Sequence, residues 1–432
     1  MNAEQLKASI IQQAIEGKLV SQLDAEEPVD QIGEALEDVP FAIPEKWKWV
    51  RLENACEYIQ RGKSPKYSDI PKIPVIAQKC NQWEGFQIEK AKFIVPETLK
   101  TYKQERLLQN MDVLWNSTGL GTLGRVAVYE RRLNPYEIAV ADSHVTVIRT
   151  KKENLNPKFL YFYLRSPAVQ NVIEARSDGS TKQKELATST IKSYELPLPP
   201  IQEQARIVAK IEELLPLIEA YGKSYDRLQE LNAELPGKLK ASILQEAIQG
   251  KLVPQLDSEG AVEQIGDTPE DVPFTIPEKW KWVKIKSVFT MQAGKFISAS
   301  SIRTEGKVPC YGGNGLRGYV DEANRNGHFP LIGRQGALCG NVHVVNGEFY
   351  ATEHAVVVDC GTYGDPECVG LFLKAMNLNQ YATATAQPGL SVKKIVELPF
   401  PLPPKSEQVR IASKVKELMK QVGALSGLEI TS

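Results

Sequence analysis

Two short stretches of the 432-residue chain combine a histidine with acidic or hydroxyl side chains that could do chemistry. Residues 142–144 read Asp-Ser-His before an alternating apolar run, and with Ser117 they could form a nucleophilic triad. Residues 353–354 read Glu-His before a similar run, but no matching serine set accompanies them. The two stretches lie in the two copies of an internal repeat described below, and a catalytic set should then occur in both copies. Because the second copy lacks it, the sequence favours structural or DNA-contacting histidines and a protein that is not an enzyme.

Two glycine-rich stretches match the GxGxxG spacing of dinucleotide-binding loops. The matching glycines are Gly119, Gly121 and Gly124 in the first stretch and Gly313, Gly315 and Gly318 in the second. A phosphate-binding loop must open a helix, yet RVAVY follows the first stretch and YVDEA the second. Both stretches are therefore expected to be tight turns between strands.

Metal and cofactor sites are not indicated by the remaining residues. His328, His343 and His354 with Cys339 have no recognised ligand spacing, and the six cysteines form no CxxC pair. No GxxxxGK[ST], methyltransferase or nuclease motif is found, so we expect neither a metal nor a cofactor in this chain. No leader or membrane-spanning segment is recognised, and a cytoplasmic protein is expected.

The charge distribution points to nucleic acid. The chain has a net charge of −1, but residues 45–200 carry +8 and residues 278–404 carry +3, whereas residues 1–44 and 201–277 carry −7 each. Basic and amide side chains in the predicted loops of the two basic blocks could hold phosphates and base edges. For any single one, a solvated surface position is an equal alternative. The candidates are Arg61, Lys63, Lys66, Asn81, Gln82, Asn116, Ser117, Thr118, Arg125, Ser180, Thr181, Lys182, Gln183 and Lys184 in the first block, and Arg303, Asn314, Arg317, Arg334, Gln335, Asn341, Lys393 and Lys394 in the second.

An internal repeat organises the elements that must position these residues. LKASIIQQAIEGKLVSQLD (6–24) recurs as LKASILQEAIQGKLVPQLD (239–257), and VPFAIPEKWKWVRL recurs as VPFTIPEKWKWVKI, both at an offset of 233. ELPLPPIQEQARI recurs in altered form as ELPFPLPPKSEQVRI at an offset of 204. We call the segment between the matching flanks of each repeat its middle, and the smaller offset shows that the second middle is shorter. One scaffold thus carries two different middles. The near-identical tryptophan pairs, Trp47 and Trp49 with Trp280 and Trp282, are expected to pack inward.

A heptad of apolar residues follows each LPP motif and predicts long helices. The first seam consists of Ile207, Ile211, Leu214, Ile218, Tyr221, Tyr225, Leu228, Leu235 and Leu239, with Asn232 among them, and the second of Ile411, Val415, Leu418, Val422 and Leu425. A buried face within one globular domain is the simpler alternative to an antiparallel spacer between domains. A bend or break is expected near Pro216 or Pro236. The C-terminal heptad segment matches the first half of the central helical segment, and residues 6–24 match the part that follows it. Joining the C-terminal segment to the N-terminal one would therefore give two full copies of one repeat.

These motifs resemble the specificity (S) subunits of Type I restriction-modification systems. The resemblance rests on LPLPPIQEQARI and PLPPKSEQVRI, the two IPEKWKWV openings, WNSTGLGTLGRVAV, and LIGRQGALCGNV with ATEHAVVV. It implies an α+β fold in which two mixed α/β target-recognition domains are separated by long antiparallel coiled-coil helices in a pseudo-two-fold, cyclic-repeat arrangement. The expected segments are an N-terminal helix (1–24), an acidic linker (25–44), target-recognition domain 1 (45–200), central helices (201–252), a second acidic linker (253–277), target-recognition domain 2 (278–404) and a C-terminal helix (405–432).

The resemblance also implies a non-catalytic protein that binds a bipartite double-stranded DNA site and recruits two modification subunits and restriction subunits. S-adenosylmethionine, ATP and Mg would belong to those partners. The candidate partner-binding residues, which match best between the repeats, are Glu203, Gln204, Arg206, Glu407, Gln408 and Arg410. An orphan DNA-binding adaptor outside restriction is the alternative.

Overall fold

The computed structural model describes residues 1–119, 121–178, 184–336, 338–383 and 388–426. The chain divides into two compact units, Met1–Leu228 and Gln229–Ser432. Both units combine helices with mostly antiparallel sheets, so the predicted α+β class is confirmed. Among the described residues, no helix is both long enough and apolar enough to cross a membrane.

Unit 1 contains five α-helices and twelve strands among its described residues. The helices are α1 (Ala3–Ile15), α2 (Pro157–Leu164), α3 (Pro167–Gln170), α4 (Thr188–Lys192) and α5 (Ile201–Ile248), the last of which crosses into unit 2. The strands are β1 (Lys48–Arg51), β2 (Cys56–Arg61), β3 (Tyr67–Ser68), β4 (Pro74–Ile76), β5 (Asn81–Gln82), β6 (Gly85–Phe86), β7 (Lys92–Ile94), β8 (Asp112–Asn116), β9 (Val126–Tyr129), β10 (Val140–Ala141), β11 (Val145–Thr150) and β12 (Glu195–Leu198).

The main sheet of unit 1 has the strand order β2-β11-β8-β9, all antiparallel. A second four-stranded sheet has the order β10-β4-β7-β3, in which β10 and β4 are parallel. The short strands β1 and β12 pair antiparallel and join the two ends of the middle, with Trp49 opposite Pro197. The apolar core lies between the main sheet and helices α1, α2 and α5.

Unit 2 follows the same plan with fewer elements. Its remaining described α-helices and strands are β13 (Lys281–Lys284), α6 (Ile285–Val288), β14 (Thr290–Ala293), β15 (Val308–Gly312), β16 (Gly315–Val320), β17 (Arg325–Gly333), β18 (Val342–Ala351), β19 (Ala355–Asp359), α7 (Pro366–Ala375), α8 (Val392–Ile395), β20 (Pro399–Leu402) and α9 (Lys405–Ser426). The sheet order is β14-β19-β17-β18-β15-β16, and β13 pairs with β20 as β1 pairs with β12. Strands β14, β19, β17 and β18 thus match β2, β11, β8 and β9.

Helix α5 runs unbroken for 48 residues through both Pro216 and Pro236, so of the expected bend or break, a break does not occur. Each proline removes one N–H donor, but the bonds of the long flanking segments continue on both sides. The seam is buried in the first part of the helix, at Ile207, Ile211 and Ile218, whereas Leu228 and Leu235 are exposed. The Leu425 side chain of the second seam lies outside the described residues.

Each unit packs two helical segments against its own core. In unit 1, Ile11, Ala14 and Ile15 at the end of α1 share a core with Ile207 and Ile211 of α5. In unit 2, Ala247 and Ile248 at the end of α5 share a core with Ile411 and Val415 of α9. The helix formed by the tail of one repeat and the head of the next is therefore continuous at the centre of the chain.

The first glycine motif and the tryptophans lie where the sequence predicted, and the second glycine motif does so only in part. The loop with Gly119 and Gly124 joins the antiparallel strands β8 and β9. Gly313 lies in the turn between β15 and β16, whereas Gly315 and Gly318 lie within β16. Trp47 and Trp49 are both buried, as are their copies in unit 2. The inward packing of both tryptophan pairs is confirmed.

Candidate nucleic-acid interface

Four segments meet at one edge of the main sheet of unit 1, which we call edge site 1: residues 61–63, 116–119, 142–144 and 184–186. Main-chain hydrogen bonds join them. Ser117 N donates to His144 O at 3.0 Å, Leu186 N donates to Ser117 O at 2.8 Å, and Gly119 N donates to Lys184 O at 3.1 Å. Because these bonds use only the backbone, they do not depend on the side chains of the segments.

A glycine permits the closest approach in this edge. Gly62 N donates to Val145 O at 2.9 Å. A Cβ added at Gly62 would lie 2.2 Å from the carbonyl oxygen of Ala141 and 2.3 Å from that of Asp142, inside any permitted contact. Gly119, with φ +94°, turns the β8–β9 loop. The close approach of residues 61–63 to residues 141–142 therefore requires a glycine at position 62.

Several predicted DNA-contacting side chains of unit 1 are enclosed within edge site 1. Asn81, Asn116 and Ser117 are fully buried, and Thr118 is nearly so. Asn81 Nδ2 donates to Asn116 Oδ1 at 2.8 Å, and the Ser117 hydroxyl donates to the carbonyl oxygen of His144 at 3.3 Å. Ser117 therefore bonds the backbone of His144 and not its ring, and these side chains hold the loop in place.

The cations around edge site 1 are tied to neighbouring groups to different degrees. The Arg61 guanidinium donates to Ser143 O at 2.8 Å and pairs with Glu185. Arg125 Nη1 donates to Gln82 Oε1 at 2.7 Å. Lys63 is exposed, with its ammonium 2.9 Å from the Thr101 hydroxyl. Lys66 is also exposed, so the two lysines present the accessible positive charge of this edge.

Edge site 2 is the equivalent edge of unit 2 and comprises residues 293–295, 333–336, 352–354 and 388–390. Arg334 N donates to His354 O at 2.8 Å, Leu390 N to Arg334 O at 2.9 Å, and Gly336 N to Pro388 O at 3.0 Å. These bonds reproduce those of Ser117, Leu186 and Gly119. Arg334 and Gln335 therefore occupy the positions that Ser117 and Thr118 hold in edge site 1.

Edge site 2 also has the same close approach. A Cβ added at Gly294 would lie 2.1 Å from Ala351 O, as one at Gly62 would from Ala141 O. The β15–β16 turn reaches this loop, since a Cβ at Gly333 would lie 1.9 Å from Gly313 O. The structure thus brings Asn314 near Arg334 and Gln335, and Asn314 and Gln335 are exposed.

Further polar groups surround the turn in unit 2. Arg317 is exposed, and Asn341 Nδ2 lies 3.1 Å from His343 Nε2. Burial lowers the pKa of His343. This histidine is therefore a neutral partner for Asn341 at physiological pH.

Other predicted contacts lie apart from the two edges. Arg303 donates to Asp321 at 2.8 Å, and Lys393 and Lys394 are exposed on α8. Lys184 does belong to edge site 1, but its Nζ lies 3.3 Å from the carbonyl oxygen of Glu174. Ser180, Thr181, Lys182 and Gln183 lie outside the described residues.

The residues predicted to bind partners have internal contacts in unit 1. Glu203 is buried and accepts the Trp47 indole N–H at 2.9 Å. Gln204 accepts Asn156 N at 2.7 Å and donates to Pro199 O at 2.8 Å. Burial raises the pKa of Glu203, and the Trp47 bond opposes that shift. These side chains fix the start of α5 against the middle of the unit.

Arg206 ties the acidic linker to the same helix. It binds both carboxylate oxygens of Glu26, at 3.0 and 2.7 Å, and Lys46 donates to Glu26 O at 2.7 Å. In unit 2, Arg410 binds Glu259 at 3.0 and 2.6 Å, and Lys279 donates to Glu259 O at 2.8 Å. We call these two sets the linker joints.

The copy of the motif in unit 2 is equally internal. Glu407 and Gln408 are buried, and Gln408 accepts Asp365 N at 2.6 Å and donates to Pro403 O at 2.9 Å. The pKa of Glu407 is raised by burial, and that of Glu259 is lowered by its bond to Arg410. Sequence reasoning missed the roles of Glu26 and Lys46. The available signal was that both recur at the offset of 233, as Glu259 and Lys279.

A family model described as the Type I restriction modification DNA specificity domain matches residues 44–230 and 277–429. The chain belongs to this family. Each match begins just before a buried tryptophan pair and extends into the helix that follows the LPP motif. The predicted resemblance to Type I specificity subunits is therefore confirmed.

Named relatives agree with this specificity family. The Type I restriction enzyme EcoprrI specificity subunit of Escherichia coli is 50% identical over 130 residues, which is 29% of this chain and 32% of that relative. The EcoAI specificity subunit of Escherichia coli is 23% identical over 97% of this chain and 84% of the relative. The HsdS subunit from Thermoanaerobacter tengcongensis has the same fold, with a TM-score of 0.55 and 18% identity over 92% of this chain and 95% of that one.

Proposed function

We propose that this specificity subunit reads a two-part DNA sequence, one half through each edge site. The observation that carries the proposal is the shared backbone arrangement with different side chains at equivalent positions, Ser117 and Thr118 in one unit and Arg334 and Gln335 in the other. A constant support with variable loop side chains suits two modules that read different bases.

The side chains divide into those that support the loops and those that are placed to meet DNA. Buried Asn81, Asn116 and Ser117 hold the loop of edge site 1. In edge site 2, Arg334 and Gln335 are partly or fully accessible and carry the donors that recognise guanine and adenine edges in the major groove. Exposed Lys63 and Lys66 suit phosphate contacts, which position the protein without reading sequence.

The chain also carries partner subunits to the site in this proposal. Because the LPP motif and its internal contacts occur once in each unit, we propose one modification subunit per unit, with restriction subunits joining that complex. Glu203, Gln204, Glu407 and Gln408 would act indirectly, by fixing the helices that partners meet. S-adenosylmethionine, ATP and Mg would be bound by those partners. Native mass measurement tests this stoichiometry. A complex that saturates at one modification subunit per chain would contradict the proposed binding of one modification subunit by each unit.

Methylome sequencing of cells with and without the gene tests the proposal directly. Loss of one bipartite methylation motif is the expected result, and an unchanged methylome contradicts it. The Arg334→Ala variant should then relax the motif in one half-site only, at a cost of about 1–3 kcal/mol for a lost base contact. Arg325→Ala is the matched control, because Arg325 lies at the opposite end of the same strand and bonds Gln292 at 2.8 Å.

An orphan DNA-binding adaptor would carry the same edge sites. The membership of this family favours the restriction-modification role. Co-purification of the tagged chain with a modification subunit distinguishes the two, and a chain that binds DNA but never a modification subunit would favour the adaptor.

A further inference from the structure

Both units place a histidine at the same point of the edge. His144 O accepts the backbone N–H of Ser117, and His354 O accepts that of Arg334. Each histidine directly precedes a central strand, β11 or β19. The two residues are therefore structurally equivalent, although the sequences around them differ.

A carboxylate holds each imidazole from one side. His144 Nδ1 lies 2.6 Å from Asp142 Oδ1, and His354 Nε2 lies 3.0 Å from Glu353 Oε1. The side chain of Asp142 is only 5% exposed, whereas that of His144 is 55% exposed. The corresponding values for Glu353 and His354 are 30% and 38%. In unit 1 the acid faces the protein and the ring faces solvent, whereas in unit 2 both side chains are partly exposed.

Three further contacts fix the loop and the carboxylate that hold the His144 ring. Asp142 Oδ1 also accepts the backbone N–H of His144 at 2.9 Å, and Asp142 Oδ2 accepts the Tyr67 hydroxyl at 3.1 Å. Arg61 donates to Ser143 O at 2.8 Å, which places a guanidinium beside the same loop. A side chain held in one orientation before binding loses little conformational entropy when a ligand arrives.

The ring nitrogen that remains available differs between the units. Within the described residues, Nε2 of His144 and Nδ1 of His354 have no hydrogen-bond partner. Each belongs to a partly exposed side chain at an edge whose backbone is internally hydrogen-bonded. A histidine with a purely structural role needs only the nitrogen that the carboxylate already engages.

We propose that His144 and His354 contact DNA, one in each half-site, through His144 Nε2 and His354 Nδ1. This inference rests on the proposed function. An imidazole nitrogen can bond a phosphate oxygen or a base edge, and the nearby cations, Arg61 in unit 1 and Arg334 in unit 2, favour an anionic ligand at the same place. The carboxylates of Asp142 and Glu353 act as positioning groups for the two rings.

The test uses the full chain with its modification subunits and a duplex that carries the methylation motif. His144→Ala and His354→Ala should each weaken binding about 2- to 10-fold, the contribution of one hydrogen bond. A phosphate contact would weaken binding to all duplexes alike, and a base contact would relax one half of the methylated motif. Either result supports the proposal. Unchanged affinity together with an unchanged motif would overturn it.

His328 provides a matched control within the same chain. Its Nε2 lies 3.0 Å from Glu367 Oε1 and its side chain is 36% exposed, so it is an equivalent imidazole–carboxylate pair away from the loop of edge site 2. His328→Ala should leave DNA affinity unchanged, and an equal loss there would also overturn the proposal. Failure of the wild-type complex to bind its motif would instead contradict the proposed function, before any variant is compared.

Discussion

Edge site 1 and edge site 2 have equivalent main-chain hydrogen bonds but differ in the type and the exposure of the polar side chains on their loops. At the loop, unit 1 has buried Ser117 and Thr118, whereas unit 2 has Arg334 and exposed Gln335. The bonds that hold both loops run between backbone atoms, so they tolerate either set. The comparison shows how two middles of different sequence can present different side chains from one arrangement of strands.

The sheets beneath the two edges differ in how they are stabilised. In unit 1, Arg149 forms two bonds to the buried carboxylate of Asp112, at 2.8 and 2.9 Å. The strand register places Phe329 and Asp359 at the equivalent positions of unit 2, where Phe329 packs against Phe349. One unit therefore uses an ion pair where the other uses aromatic packing.

Asp112→Ala should have the largest effect and should confine it to unit 1. It leaves the Arg149 guanidinium buried without its partner, which costs about 3–5 kcal/mol of unfolding free energy. Hydrogen exchange should accelerate in β8 and β11 and stay unchanged in β17 and β19. The double variant Asp112→Leu with Arg149→Met should recover most of the loss. Equal loosening of both units would show that they are not independent in stability.

Removing a linker joint should have the next largest effect, and the two units should respond alike. Arg206→Ala and Arg410→Ala each remove a two-bond contact to a buried glutamate, at about 1.5–3 kcal/mol for bonds to a charged group. Release of the linker should accelerate hydrogen exchange at two backbone amides. These are Val29 N, which donates to Lys46 O, and Val262 N, which donates to Lys279 O. A response in one unit only would break the proposed equivalence of the joints.

Gly62→Ala and Gly294→Ala test the shared close approach at the edges. Either Cβ would force the segments apart, and such overpacking costs about 1–3 kcal/mol. Each variant should impair recognition of one half-site while the other half of the methylated motif is retained. Gly237→Ala is the control, because an added Cβ there meets nothing within 4 Å. Unchanged methylation of both halves of the motif by a complex that carries Gly62→Ala would contradict the close approach at this position.

Glu185→Gln should have the smallest effect and should sharpen the difference between the edges. The pair with Arg61 is partly exposed, so its loss should change stability by at most about 1 kcal/mol. Released Arg61 should tighten DNA binding by unit 1, measured as a lower dissociation constant and a steeper salt dependence. Unit 2 has Ala293 and Gly389 at the equivalent positions and no such restraint. Weaker binding would show that Glu185 itself contacts DNA.

The sequence alone determined the repeat, the α+β class and the glycine turns. These features follow from local patterns: matching segments at a constant offset, heptads after LPP, and glycines followed by alternating apolar residues. The tryptophan pairs were predicted to be buried because they recur in two otherwise different middles. Each inference depends on residues that are close in sequence, for which spacing and chemistry suffice.

Only the tertiary structure decided which polar residues face solvent. Asn116 and Arg334 are both good DNA-contact candidates by type, yet Asn116 is buried against Asn81, 35 residues away. Glu203 looked available for a partner, but Trp47, 156 residues away, donates to it. Whether a hydrogen-bonding group is satisfied internally depends on neighbours brought together by folding, and residue type carries no record of them. Pro236 shows the same limit, because continuous helix on both sides outweighed its local preference to break.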